Sequence, residues 1–121
     1  MYRQIIIVGA LNAFLAVALG AFAAHGLKNR LSEYELSIWK TAVDYHMAHA
    51  LGLILIGLLA SSLSINLDKP GGLMLTGIVL FSGSLYALSL SGIKTLGMVT
   101  PFGGLCFLLA WAWLAYAIYK N

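Results

Sequence analysis

The sequence predicts an all-α integral membrane protein with four transmembrane helices in one antiparallel bundle. Only 9% of its 121 residues are charged, whereas a soluble domain usually carries about a quarter. Hydrophobic residues make up 61% of the chain and the mean hydropathy is +0.92, which is more apolar surface than one small core can bury. Four apolar runs separated by short polar segments complete the pattern. We therefore expect a single membrane domain over 1–121, with the lipid bilayer as its solvent.

Charge and motifs exclude several classes of function. The formal charge of +3 comes from seven Lys and Arg against four Asp and Glu. These residues are scattered without a basic run, which argues against a nucleic-acid partner. No phosphate loop, nucleophile elbow or dinucleotide fingerprint is present. The lone Cys106 lies in an apolar stretch and is expected to be a small buried hydrophobe.

The first span is predicted over 5–24, a run without a charge. About 20 apolar residues are needed to cross the hydrocarbon core as a helix. Arg3 before the run and small residues near its end also fit a signal peptide, but three further apolar runs favour a retained helix.

The second helix is predicted to start near Glu33. Ser32 and Glu35 have the spacing of a capping box, in which each side chain bonds to the other residue's backbone N–H. No proline interrupts the segment that follows, so we expect this helix to continue through Ser62.

The beginning of this helix is too polar for hydrocarbon. We expect an interfacial amphipathic extension over 34–41, with Trp39 at headgroup depth, followed by the span itself over about 43–62. Lys40 and Asp44 are four residues apart and can pair along one helical face.

The last two spans are predicted over about 72–91 and 98–119. A turn over 66–71, containing Pro70 and Gly71, precedes the third span, and Pro101 suits the first turn of the fourth. Four aromatic residues near the end of the fourth span are expected to form an interfacial belt: Trp111, Trp113, Tyr116 and Tyr119. Lys and Arg are shared almost equally between the two sides, so they do not fix the orientation.

Polar residues are predicted to converge at one end of the bundle. Antiparallel spans place the end of the first and third helices beside the start of the second and fourth. The candidate cluster there comprises His25, Asp44, Tyr45, His46, His49, Tyr86 and Thr100. Ionisable groups inside a membrane are expensive, which makes this cluster the place to look for a function.

Three polar side chains lie deeper, at Asn12, Ser82 and Ser84. We expect them to hydrogen-bond to one another between helices, which contributes ~0.6 to 2 kcal/mol in a membrane.

The histidines leave three interpretations open. His25, His46 and His49 have the ligand chemistry of a transition-metal site. Alternatively, His25, His49 and Asp44 form a proton relay, since imidazole titrates near neutral pH. The favoured interpretation is structural, with the histidines cross-linking helix ends, and no metal or cofactor is predicted.

Three segments resemble a known family: Gly20–Leu27, Leu80–Tyr86 and Thr100–Gly104. Together they are similar to small bacterial membrane proteins of the domain-of-unknown-function family numbered 423, relatives of the mitochondrial transmembrane protein numbered 256. The family pattern has glycine where this chain has Ala23, and His25 keeps its place. The resemblance implies a four-helix, multi-pass protein of the bacterial inner membrane, and it assigns no catalytic residue.

The sequence therefore favours a non-enzymatic membrane protein that associates with itself or with another membrane protein. Glycines and serines in the first and third spans favour close helix packing and support this expectation. The alternative is a channel or carrier for a small solute or proton, with an access path lined by histidines. A metal- or haem-binding enzyme is the third hypothesis.

Overall fold

The computed structural model describes all 121 residues, and every regular element in it is helical. Four helices are long and apolar enough to cross a membrane. We number them as spans 1 to 4: Tyr2–Leu27, Glu33–Leu63, Asp68–Ser91 and Lys94–Lys120. Short connections make consecutive spans antiparallel. The predicted class, an all-α four-helix membrane protein, is confirmed.

Three of the spans depart locally from α-helical geometry. The α-helical parts are Tyr2–Phe22, Glu33–Leu63, Asp68–Gly77, Gly83–Ser91 and Thr100–Lys120. Span 1 ends in the π-helical segment Ala23–Leu27, and span 3 contains another, Ile78–Ser82. In the second segment the N–H of Gly83 donates to the carbonyl of Ile78, five residues earlier. Span 4 begins with the 3-10 turn Lys94–Met98.

Span 2 starts as predicted. The N–H of Glu35 donates to Ser32 Oγ at 3.1 Å, and the N–H of Ser32 donates to Glu35 Oε1 at 2.9 Å, so the capping box is complete. The helix then runs without a break to Leu63 and ends at Ser64, whose φ of 54° is left-handed. Lys40 and Asp44 form the expected ion pair.

Span 3 begins earlier than predicted, at Asp68 rather than near 72. The N–H of Asp68 donates to Asn66 Oδ1 at 2.8 Å, which satisfies one of the free donors at the helix start. Pro70 lies in the first turn, where a missing N–H costs nothing. Of the predicted turn over 66–71, residues 66 and 67 do connect the helices, whereas 68–71 form the first turn of span 3.

Spans 2 and 3 form the centre of the molecule. In their most apolar stretches 44% and 33% of residues are buried, against 11% for span 1 and 17% for span 4. Glycines bring the backbones together: a Cβ on Gly9 would lie 2.9 Å from the carbonyl oxygen of Ala50, and one on Gly103 would clash with the backbone of Phe81. These small residues therefore serve packing within the chain.

Trp39 lies in the core of the bundle, and its headgroup depth stays a prediction. Its Nε1–H donates to the carbonyl of Leu19 at 2.9 Å, and its ring centroid is 4.7 Å from that of Tyr86. Trp39 therefore faces spans 1 and 3. Span 2 is thus anchored to both neighbours about two turns before His46.

Candidate functional site

His46 joins three spans through its two ring nitrogens. Its Nε2 lies 3.0 Å from Asn12 Oδ1 on span 1, and its Nδ1 lies 2.9 Å from the Tyr86 hydroxyl on span 3. The imidazole is buried. We call these three residues the His46 node.

The partners of His46 define where its proton lies. Asn12 Nδ2 donates to the carbonyl of Val8 at 2.8 Å, so the amide oxygen of Asn12 faces the imidazole. An amide oxygen only accepts, so His46 Nε2 carries the hydrogen and donates it. In the neutral ring Nδ1 is then an acceptor, and it receives the hydroxyl proton of Tyr86. The hydrogen bonds are therefore donated in series, from Tyr86 to His46, from His46 to Asn12 and from Asn12 to the carbonyl of Val8.

His49, one turn along span 2, has different partners. Its Nδ1 lies 2.7 Å from the carbonyl of Tyr45, and its Nε2 lies 3.1 Å from Trp111 Nε1 on span 4. Its ring stacks on Phe107, with the centroids 3.5 Å apart. We call His49, Tyr45, Trp111 and Phe107 the His49 node. Because a carbonyl only accepts and an indole N–H only donates, His49 carries its hydrogen on Nδ1, the opposite tautomer to His46.

The His49 node forms one wall of an open groove between spans 2, 3 and 4. The groove has a volume of about 610 Å³. Its lining is mostly apolar and aromatic: Tyr45, His49, Phe81, Pro101, Gly104, Leu105, Phe107, Leu108 and Trp111. Phe81 comes from the π-helical segment of span 3 and Pro101 from the first turn of span 4. The His46 node lines none of the larger cavities.

Both nodes lie deeper than the predicted end of the bundle. Asn12 lies about 15 Å along span 1 from Tyr2, and His46 lies about 20 Å along span 2 from Glu33, at 1.5 Å per residue. Both positions are in the middle part of helices that cross a membrane. The polar side chains at that end of the bundle belong to residues outside the two nodes.

Three of the predicted cluster residues do not reach the nodes. His25 is exposed in the π-helical segment that ends span 1, and Asp44 is exposed and paired with Lys40. Thr100 hydrogen-bonds through its hydroxyl to Ser84 at 2.6 Å. The structure therefore brings Tyr86 to His46, and Tyr45 to His49, but leaves His25 and Asp44 outside.

The deep polar residues hydrogen-bond between helices, although not to one another. Asn12 pairs with His46, Ser84 pairs with Thr100, and Ser82 Oγ donates to the carbonyl of Ala42 at 2.8 Å. The expected bonds exist, but the expected partners were wrong, because the rotation of each helix turns these groups toward span 2 or span 4.

The three histidines, His25, His46 and His49, do not come together as ligands of one metal ion. Nowhere does the chain bring three His, Cys, Asp or Glu side chains together in a geometry suited to a metal ion. Each ring nitrogen of His46 and His49 already has a protein partner.

Trp111 is the residue of the node that the sequence prediction placed elsewhere. It was assigned to the aromatic belt, yet it lies about 14 Å from Lys120 along the helix, near mid-span. Trp113 is only about 3 Å further along the helix but about 200° around it, and it lies below Lys69, with the Nζ 5.7 Å from the ring centroid. Rotation around the helix, and not depth, therefore separates the two tryptophans.

The comparisons with known proteins agree with the resemblance found in the sequence. Residues 19–104 match the model of a family described as "Protein of unknown function (DUF423)". A UPF0382 membrane protein of Staphylococcus aureus is 49% identical over 98% of this chain and 97% of its own length. The UPF0382 membrane protein YwdK of Bacillus subtilis is 50% identical over 98% of both chains. No solved structure matches significantly.

Proposed function

Given that the chain belongs to the DUF423 family of membrane proteins, we propose that it is a non-enzymatic protein of the bacterial cell membrane that associates with itself. One observation carries this proposal. Every buried side-chain nitrogen and oxygen atom has a hydrogen-bond partner within the chain. The interior is therefore a set of helix-to-helix links, and the part of the molecule that is free to interact is its outer surface.

The directed hydrogen bonds of the His46 node favour a structural role over proton transfer. A relay needs a group at each end that can accept a proton and release another. The chain from Tyr86 through His46 and Asn12 ends at the main-chain carbonyl of Val8, which has no proton to pass on. His49 is likewise held on both sides, by Tyr45 and Trp111.

The arrangement of the spans supports association. Spans 1 and 4 lie on the outside, and large apolar side chains such as Phe14 and Leu108 are exposed on them. Span 2 also has one uncovered face, since its three neighbours all pack on its other side. Helices in lipid associate through packing and hydrogen bonds rather than through apolar burial, so the uncovered polar face of span 2 is the better candidate surface.

The test is the mass of the protein in lipid. We expect native mass spectrometry of the protein in nanodiscs to find an oligomer whose population falls as lipid is added in excess. A monomer at every lipid-to-protein ratio would contradict the proposal.

Two further measurements separate the alternatives. Proteoliposomes with wild-type protein and with His49→Ala should show the same background flux of protons and small solutes, whereas a flux that His49→Ala abolishes would establish a carrier instead. Elemental analysis and a visible spectrum of the purified protein should find neither stoichiometric metal nor haem absorption. Either signal would favour the enzyme hypothesis.

A further inference from the structure

An ion pair lies on the exposed face of span 2, where Lys40 also borders a groove against Gly20 and Lys28 of span 1 and the connection after it. Lys40 Nζ is 3.0 Å from Asp44 Oδ2, and the two side chains are 77% and 59% exposed. Ser37 and Thr41 on the same face are exposed as well, and Ala48 continues the face one turn further along the helix. We call Ser37, Lys40, Thr41, Asp44 and Ala48 the span 2 stripe.

The stripe reaches the depth at which span 1 is apolar. Trp39, next to Lys40, donates to the carbonyl of Leu19, and Val43, next to Asp44, packs against Gly20. Residue 20 lies about 10 Å inside the end of span 1 at Leu27. The exposed surface of span 1 at that depth has no charge. An exposed ion pair in hydrocarbon is costly, which argues for a covering partner.

We infer that the span 2 stripe is the contact surface for the same stripe of a second copy of this chain. The inference rests on the self-association proposed above and names its interface. Two copies related by a two-fold axis along the membrane normal would bring their second spans together in parallel. Each Lys40 would then lie between its own Asp44 and the Asp44 of the other copy, so that four charges alternate in sign.

The composition of the stripe favours a second copy over other occupants. Its one positive and one negative charge make it neutral and self-complementary, as a two-fold interface requires. A lipid phosphate would match Lys40 but leave Asp44 facing a like charge. The hydroxyls of Ser37 and Thr41 already donate to carbonyls of their own helix, and the small side chain of Ala48 permits close approach.

Cysteine cross-linking tests the location of the interface. In a Cys106→Ala background, Ala48→Cys should form a disulfide-linked dimer in proteoliposomes under mild oxidation, and Leu108→Cys on span 4, 69% exposed, should not. An oligomer that cross-links only through Leu108→Cys would overturn the inference and leave the proposed function standing. A protein that is monomeric by native mass would overturn both.

Charge reversal tests the ion pairs directly. Lys40→Glu alone and Asp44→Lys alone should each lower the dimer population at least tenfold, because each places four like charges at the interface. Mixing the two variants should restore a heterodimer, whereas Lys94→Glu, at the first residue of span 4, should leave dimerisation unchanged. Single variants that dimerise like wild type, or a mixture that does not recover, would overturn the inference.

Discussion

His46 and His49 lie one turn apart on the same helix, yet the surroundings of the two imidazoles differ. Both are buried, and both ring nitrogens of each are hydrogen-bonded. The His46 node is enclosed by spans 1, 2 and 3, whereas the His49 node borders an open groove and holds span 4. Residue type and spacing therefore do not predict the structural role of each histidine, because different helices surround the two rings.

The two nodes are therefore expected to contribute different amounts to the free energy of unfolding. Losing His46 leaves the amide oxygen of Asn12 and the hydroxyl of Tyr86 without partners between three packed spans. Losing His49 leaves the N–H of Trp111 unpaired beside a groove that lipid chains can enter. An unsatisfied buried polar group costs about 1–3 kcal/mol, and a residual cavity adds to that cost when it cannot be filled.

The largest expected effect is that of His46→Ala. We expect a loss of on the order of 3 kcal/mol in unfolding free energy, since two polar groups lose their partner and a cavity remains. His49→Ala is the matched control and should cost about 1–2 kcal/mol, with one unpaired group and an open groove. Reversible unfolding of both variants in mixed micelles measures the difference. Equal losses would break the distinction between the two nodes.

A smaller effect is expected when one hydrogen bond is removed from each node without a change in packing. Tyr86→Phe should cost about 1 kcal/mol, because it leaves His46 Nδ1 unpaired in the interior. Trp111→Phe should cost about 0.6 kcal/mol, the average for an interhelical bond in a membrane protein. The same unfolding assay applies, and a larger loss for Trp111→Phe would reverse the ranking.

The smallest expected effect is a difference in tautomer between the two histidines. Nitrogen-15 chemical shifts of the two imidazoles should show hydrogen on Nε2 of His46 and on Nδ1 of His49, because their fixed partners demand opposite tautomers. In Tyr86→Phe the His49 signals should keep their positions while those of His46 move. Finding the same tautomer at both histidines would refute the hydrogen-bond directions.

Much of the fold could be predicted from the sequence, because its signals are local. Composition and the lengths of the apolar runs predicted four spans, and the Ser32 and Glu35 spacing predicted where span 2 begins. The same local logic failed at Asp68, where a polar Pro-Gly segment looks like a turn but forms the first turn of a helix.

The site was predicted only in part, because a sequence does not give the rotation of one helix against another. The position of Tyr86 suggested that it reaches into the predicted cluster, and it meets His46. Trp39 and Trp111 were placed at interfaces because tryptophan is common there, yet both donate into the bundle. The depth of the nodes also depends on how far span 2 slides along span 1, which is set by contacts such as Gly9 against Ala50.

The π-helical segment Ile78–Ser82 sets the direction in which the later side chains of span 3 point. A π turn holds one more residue than an α turn, and each residue of an α-helix advances the side chains by about 100°. If the same five residues were α-helical, the extra residue would turn everything after the segment, Tyr86 included, by about that angle. The hydroxyl would swing away from His46 although no residue of the node had changed. The π-helical geometry of this segment, and not only the side chains that meet, is therefore part of what forms the His46 node.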